Sequence, residues 1–456
     1  MRFRTFLSLG GAALVLLLQG QVVLSDISVT PTDKDSLKEA GKAITEPMWD
    51  FYLANQTEGI PGKLTGTWYI AGAMFMTMMQ FWHVSGYNEH NSVVSHDMMF
   101  QAGRNYDYFD SNYSQWLGND DQMFFGLAAI TASETGFPEI NGKPTWTSLA
   151  RSVFNQQASR WDPSECGGGL TWQIHPWQAG YTLRNSISNG GLFQLAARLG
   201  RFTQNQTYFE WAEKIWDWSV DSPLIQPQIN WYVADSTSGD NNCTDSGDMQ
   251  WSYNYGVYLA GAAYMWNATE EPKWKNRTEG LLRRLTTHFF PEEYGGNIFS
   301  EVSCEKLHTC DRNMLNFKGW SSMWMAMAGI LVPDTFDTIL PKLQGSASAI
   351  GRQCDGGTEN LCGSRWYQDT WDGIQGLEVQ QAALGGITGT LMMLVGNGAQ
   401  TIDTNPNAKE QYLDYNDDQP DSLPKITTGD RVGSWILTVL WGGGIVAAGW
   451  WLIKQQ

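Results

Sequence analysis

Residues 116–135 read WLGNDDQMFFGLAAITASET, and their reading decides the fold. Gly118 and Asn119 bring the chain in, Asn being a favoured N-cap. Asp120 and Asp121 follow where the helix macrodipole favours negative charge, and an apolar run continues to Thr135. The stretch is a capped helix that begins on two carboxylates. Neighbouring side chains on an established helix diverge by about 100°, so the pair can share a target only where the chain is just entering the helix. The same residues also suit any well-capped helix, so the pair alone assigns no chemistry.

Apolar residues recur at helical spacing in eleven further segments, near 36–53, 67–84, 92–106, 145–160, 188–200, 207–219, 249–266, 274–290, 313–331, 336–348 and 377–393. Strand signals are sparse: 170–174 and 228–234 are short, and no regular series of alternating segments exists. Twelve helices in paired succession predict an all-α domain over 26–404, six hairpins closing into an (α/α)6 barrel. An open helical solenoid is the competing architecture, but no fixed-period repeat supports it.

The two ends of the chain carry targeting signals. Arg2 and Arg4 precede the apolar run LGGAALVLLL, and Val23 and Ser25 fit the small-residue cleavage rule, so 1–25 reads as a secretory signal peptide. Residues 405–434 form a polar, acidic linker. Residues 435–456 carry an apolar tail whose core, WILTVLWGGGIVAAGWWLI, is just long enough to cross a bilayer. Small residues at Thr427, Thr428 and Gly429 ahead of that tail fit a GPI-attachment signal; Lys454 and the interfacial Trp450 and Trp451 fit a single span instead. Both readings tether the body outside the cell.

Cys166, Cys243, Cys304, Cys310, Cys354 and Cys362 show no C-x-x-C spacing and read as disulfides; local bridges within the two close pairs would leave Cys166 for Cys243, although six cysteines allow 15 pairings. Glycosylation sequons begin at Asn55, Asn112, Asn205, Asn242, Asn267 and Asn276, as expected of an exported surface. The formal net charge of -18 argues against a nucleic-acid partner. Six histidines, His90 and His96 among them, show no zinc spacing, so neither a catalytic metal nor another cofactor is expected. Acyl-transfer, Walker and Rossmann signatures are likewise missing from the sequence.

The chain holds 23 Trp, 17 Tyr and 19 Phe in 456 residues, and many of them sit beside polar partners where the helical pattern breaks. Flat rings next to amides and carboxylates suit sugars, whose C–H faces stack while their hydroxyls need directed hydrogen bonds. Candidate binding residues are Asn119, Trp172, Asn189, Asp248, Trp251, Tyr253, Asn254 and Tyr255. Each has an ordinary alternative in core packing, capping or loop solvation.

Taken in order, GNDDQMFF, CGGGLTWQ, NSISNGGLFQLAARLG and WSYNYGVYLAG resemble glycoside hydrolase family 76, the endo-α-1,6-mannanases, and most closely its fungal cell-wall branch, the Dfg5 and Dcw1 proteins. The resemblance covers nearly the whole body. It implies an (α/α)6 barrel and retaining chemistry on α-1,6-mannose linkages, with Asp120 as nucleophile and Asp121 as general acid/base. For the fungal branch it also implies a role in joining GPI-linked mannoproteins to wall glucan. The implied partners are an α-mannan or GPI-core glycan donor, a wall β-glucan acceptor, and the membrane through a GPI anchor. First-turn amides are expected to lower the Asp120 pKa, while a charged neighbour and burial by Phe124 raise that of Asp121. Plain hydrolysis and glycan binding without turnover are the alternatives.

Overall fold

The computed structural model describes residues 27–109, 115–357, 359–396 and 399–405. Each of the twelve periodic segments is a helix: α1 (Lys34–Asn55), α2 (Trp68–Ser85), α3 (Asn91–Gln101), α4 (Asn119–Thr135), α5 (Trp146–Ser159), α6 (Ser186–Thr203), α7 (Gln206–Asp221), α8 (Ser252–Thr269), α9 (Pro272–Phe289), α10 (Phe317–Leu331), α11 (Phe336–Gln353) and α12 (Leu377–Val395). The even-numbered helices pack each against the next, and α12 closes back on α2; the odd-numbered helices form an outer layer. That is the (α/α)6 barrel. The signal peptide, nearly all of the linker, the apolar tail and the Asn112 sequon lie outside the described residues.

Burial explains which helices are inside. In α4 every residue from Gln122 to Thr135 is buried, whereas α7 buries only Tyr208, Ala212, Ile215, Trp216, Trp218 and Ser219, one face at helical spacing. A helix apolar on all faces belongs to the core, and one with a single stripe belongs on the outside. The inner ring closes tightly at α10 and α12. A Cβ on Gly319 would lie 2.4 Å from the Ala382 Cα, and one on Gly385 would lie 2.6 Å from the Gly319 carbonyl oxygen, so neither position admits a side chain.

Two local expectations are corrected. The N-cap of α4 is Gly118, not Asn119, which is the first residue inside the helix. A neighbouring loop claims Asn119: its backbone N–H donates to the Trp172 carbonyl at 2.9 Å and its amide nitrogen to Thr171 O at 2.8 Å. The 170–174 segment is not a strand but that loop, joined to the start of α4 by a bridge between Gly118 and Gln173. The strands among the described residues are instead β1 (Leu183–Asn185), β2 (Ile225–Gln226), β3 (Tyr232–Val233) and β4 (Ser236–Ser238). β1 pairs antiparallel with β4, Asn185 opposite Ser236, and β2 with β3.

Three disulfides form, Cys166–Cys243, Cys304–Cys310 and Cys354–Cys362. Of the described sequon residues, Asn205, Asn242, Asn267 and Asn276 are exposed and Asn55 is half-buried.

Candidate active site

The inner helices all begin at one end of the barrel, and a cavity of about 270 Å³ opens there. Tyr69 of α2, Asp120, Asp121 and Phe124 of α4, Ile187 of α6, Tyr253 of α8, and Phe317 and Trp320 of α10 line it. All but Phe124 lie in the first turns of their helices, so positive dipole ends converge on the space between them. The 172–187 and 235–236 segments supply Trp172, Gln173, Leu183, Asn185, Asp235 and Ser236, and Asn313 completes the lining.

The carboxylate pair sits at the floor, both residues partly exposed. Asp121 Oδ2 accepts the Gly118 N–H at 2.6 Å, and Asp120 Oδ1 accepts the Asp121 N–H at 3.1 Å. The Asn185 amide donates to Asp120 Oδ2 at 3.4 Å. A Cβ on Gly118 would lie 2.3 Å from Asp120 Oδ1 and 3.3 Å from Asp121 Oδ2. Those two oxygens are therefore no farther apart than the two distances combined, an upper bound that admits the roughly 5–5.5 Å carboxyl spacing of retaining glycosidases. At the start of the helix both adjacent residues reach the same cavity.

Burial holds both carboxyls above the usual range. For Asp120 burial acts first and the Asp121 charge second, against the donors from Asp121 and Asn185, and its pKa lies well above 3.8. Burial pushes Asp121 up to about 6, opposed by the Gly118 amide. The expected lowering of Asp120 is thus reversed: the amides act in the predicted direction, but desolvation of the charged form outweighs them.

Aromatic rings form the opposite wall. Tyr253 lies flat on Phe317, centroids 3.8 Å apart and planes 5° from parallel, while Phe124 packs on Trp320 at 4.6 Å. The Tyr69 hydroxyl donates to Asn313 Oδ1 at 2.7 Å, and burial, then the Asp121 and Asp120 charges, keeps that phenol protonated. Asp235, raised by burial, accepts the Asn254 amide at 3.0 Å. Such a cleft offers a carboxylate pair, stacking faces and directed polar groups to one pyranose. Among the described residues no group of three or more His, Cys, Asp or Glu is placed to hold a metal ion.

The profile of glycosyl hydrolase family 76 matches residues 36–402. The chain belongs to this family. It is 37% identical over 432 residues to the mannan endo-1,6-alpha-mannosidase DCW1 of Saccharomyces cerevisiae, covering 92% of this chain and 93% of that protein. Identity to the mannan endo-1,6-alpha-mannosidase DFG5 of Candida albicans is 33%, over 97% of this chain and 98% of the relative. The crystal structure of Dfg5 from Chaetomium thermophilum in complex with glucosamine superposes with a TM-score of 0.77 at 38% identity, covering 82% of this chain and 96% of that one. An inactive variant of the α-1,6-mannanase of Salegentibacter sp. HEL1_6, in complex with α-1,6-mannotriose, shares the fold with a TM-score of 0.62 at 16% identity, over 78% of this chain and 99% of that one.

Within this family 76 enzyme, Asp120, Asp121, Trp172 and Tyr253 of the sequence-derived candidates line the cleft. The other six do not. Asn119 and Asn189 are buried clamps on the loop that carries Trp172: Asn189 Oδ1 accepts the Leu170 N–H at 2.8 Å and its amide donates to Leu170 O at 3.0 Å. Asn254 stands behind Asp235, and Tyr255 is fully buried, its hydroxyl accepting from Val233 N at 2.9 Å and donating to Gln250 at 2.6 Å. Trp251 precedes α8 and meets Phe317 edge-on at 5.8 Å. Asp248 is exposed on a loop outside the cavity lining.

Sequence reasoning missed Tyr69, Asn185, Asp235, Asn313, Phe317 and Trp320. Asn185 carried a signal, as an N-cap residue directly before α6. Asp235 stood in the polar-aromatic stretch INWYVADS. Phe317 and Trp320 looked like ordinary helix residues.

Proposed function

We propose that this enzyme cleaves α-1,6-mannosidic linkages with retention and passes the mannosyl unit to a sugar hydroxyl, acting at the cell surface in joining GPI-linked mannoproteins to wall glucan. One observation carries the reading: Asp120 and Asp121 both line one aromatic cleft. The names of the relatives, mannan endo-1,6-alpha-mannosidases, support the linkage.

In the first step the Asp120 carboxylate bonds to the anomeric carbon while Asp121 gives its proton to the departing glycosidic oxygen. The product is a mannosyl ester on Asp120 and an ionised Asp121. In the second step Asp121 takes a proton from the incoming hydroxyl, whose oxygen displaces Asp120. Two inversions leave the configuration unchanged. Positive charge growing at the anomeric carbon favours ionised Asp120 in the transition state, and two donors, Asp121 N and the Asn185 amide, steady its oxygens. Asp121, held by a single backbone amide through Oδ2, is assigned the proton.

Water or a sugar hydroxyl can complete the second step. A tethered enzyme facing a dense polysaccharide meets acceptor hydroxyls at high local concentration, which favours transfer. The test supplies an α-1,6-mannobiose or GPI-glycan donor with labelled β-glucan to wild type, Asp120→Asn and Asp121→Asn. Labelled conjugate from wild type alone is expected. Free mannose without conjugate rejects transfer, binding without products rejects catalysis, and wild-type rates in either variant reject the roles.

A further inference from the structure

Two indoles lie outside the cleft with no role in it. Trp116 is 78% exposed and Trp177 71%, more than any other large apolar side chain among the described residues. They belong to the two segments that carry the acid pair and Trp172. Residues 116–119 and 172–178 run antiparallel, bridged at Gly118 and Gln173. Gln178 Nε2 ties them again, donating to Leu117 O at 3.4 Å and to Gln173 Oε1 at 2.8 Å. Followed outward from the bridge, one segment leads to Trp116 and the other to His175 and Trp177. The Trp177 ring lies on the His175 ring, centroids 4.4 Å apart and planes 6° from parallel, so its orientation is set before any ligand arrives.

A single exposed apolar side chain needs no explanation. Two indoles near the outer ends of two bridged segments, one of them held by a stack, are a different case. An indole offers a flat face for the C–H side of a pyranose, an attraction that needs no charge. We propose that Trp116 and Trp177 form an outer platform for an α-1,6-mannan chain, binding its pyranose residues beyond the cleft. This rests on the glycosidase reading and extends it from one linkage to a chain.

The test uses the full chain. Retention of the non-turning Asp121→Asn protein in gels containing α-1,6-mannan or β-1,3-glucan is compared with and without Trp116→Ala and Trp177→Ala. The double variant is expected to lose affinity for α-1,6-mannan by about tenfold, the scale of one good aromatic contact. In the active enzyme, KM for α-1,6-mannan rises by a similar factor while the constants for α-1,6-mannobiose stay within about twofold of wild type. Equal losses on polymer and disaccharide, unchanged retention on α-1,6-mannan, or a loss confined to β-1,3-glucan overturn the platform. So does loss of binding to phosphatidylcholine vesicles with polysaccharide retention intact, which would make the rim a membrane face. A wild type that binds polymer through these rings yet turns nothing over fails the catalytic reading alone; turnover with unchanged retention in the double variant fails the platform alone.

Discussion

The Asn185 amide nitrogen lies 3.4 Å from Asp120 Oδ2, linking the start of α6 to the start of α4, while its oxygen accepts the Ser188 N–H at 3.3 Å. One side chain thus caps its own helix and orients the proposed nucleophile of another.

Those two duties separate by substitution. Asn185→Ser keeps an oxygen suited to capping but does not reach Asp120, so the melting temperature is expected to stay near that of wild type. Turnover should drop about tenfold, matching the loss of a hydrogen bond to a charged group worth roughly 1.5 kcal/mol. Unchanged turnover would remove Asn185 from the site.

Gly118 is constrained by space rather than by backbone angle, its φ being -87°. A methyl there would meet Asp120 Oδ1 at 2.3 Å and the Trp172 carbonyl at 3.1 Å. Gly118→Ala is therefore expected to cut kcat by about 100-fold, the usual cost of a misplacement near 1 Å. Circular dichroism should remain that of the wild type. A fully active Gly118→Ala protein would mean that the carboxylate position is unimportant.

The raised pair predicts the pH profile. Asp121, the proposed acid, must hold a proton for the first step, and burial pushes its pKa up to about 6. The alkaline limb of kcat/KM should then have its midpoint near 6, with activity falling as pH increases. A midpoint at the ordinary aspartate value would contradict the burial described for the cleft.

Glu301 gives a stability signature. It is 1% exposed and accepts Ser252 N at 3.0 Å and Ser252 Oγ at 2.5 Å at the start of α8, beside Tyr253. Burial raises its pKa from 4.5 to about 8. The native state therefore holds a proton that the unfolded chain releases, and stability from this group, full below pH 4.5, is lost as pH rises through about 8. Glu301→Gln stays neutral and should lose less stability than wild type between pH 6 and 9 in urea titrations. Parallel curves for the two proteins would argue that Glu301 is not buried as a neutral acid.

Much of the fold was legible because each helix announces itself locally. The α7 stripe from Tyr208 to Ser219, Asn205 ahead of it and Asp33 ahead of α1 are signals carried within a few residues. The 170–174 segment misled because its backbone groups are taken by the Asn119 and Asn189 side chains and by a single bridge to Gly118 rather than by a strand ladder. Asn119 and Asn189 misled in another way: an amide beside glycines looks the same whether it will meet a sugar or a buried carbonyl. The carboxylate pair was legible because two adjacent acids before an apolar run are rare enough to notice, and Trp172 and Tyr253 because polar company marked them.

Sequence alone determined the helix count, the acid pair at a helix start and the cysteines available for bridging, since periodicity, capping and composition act over a few residues. Which residues face the cleft was decided by tertiary structure. Closing the ring of hairpins brings Tyr69 to Asn313, 244 positions apart, and sets Phe317 under Tyr253. No local pattern encodes such a meeting, because it depends on where five helix starts converge and on which polar groups burial leaves facing water.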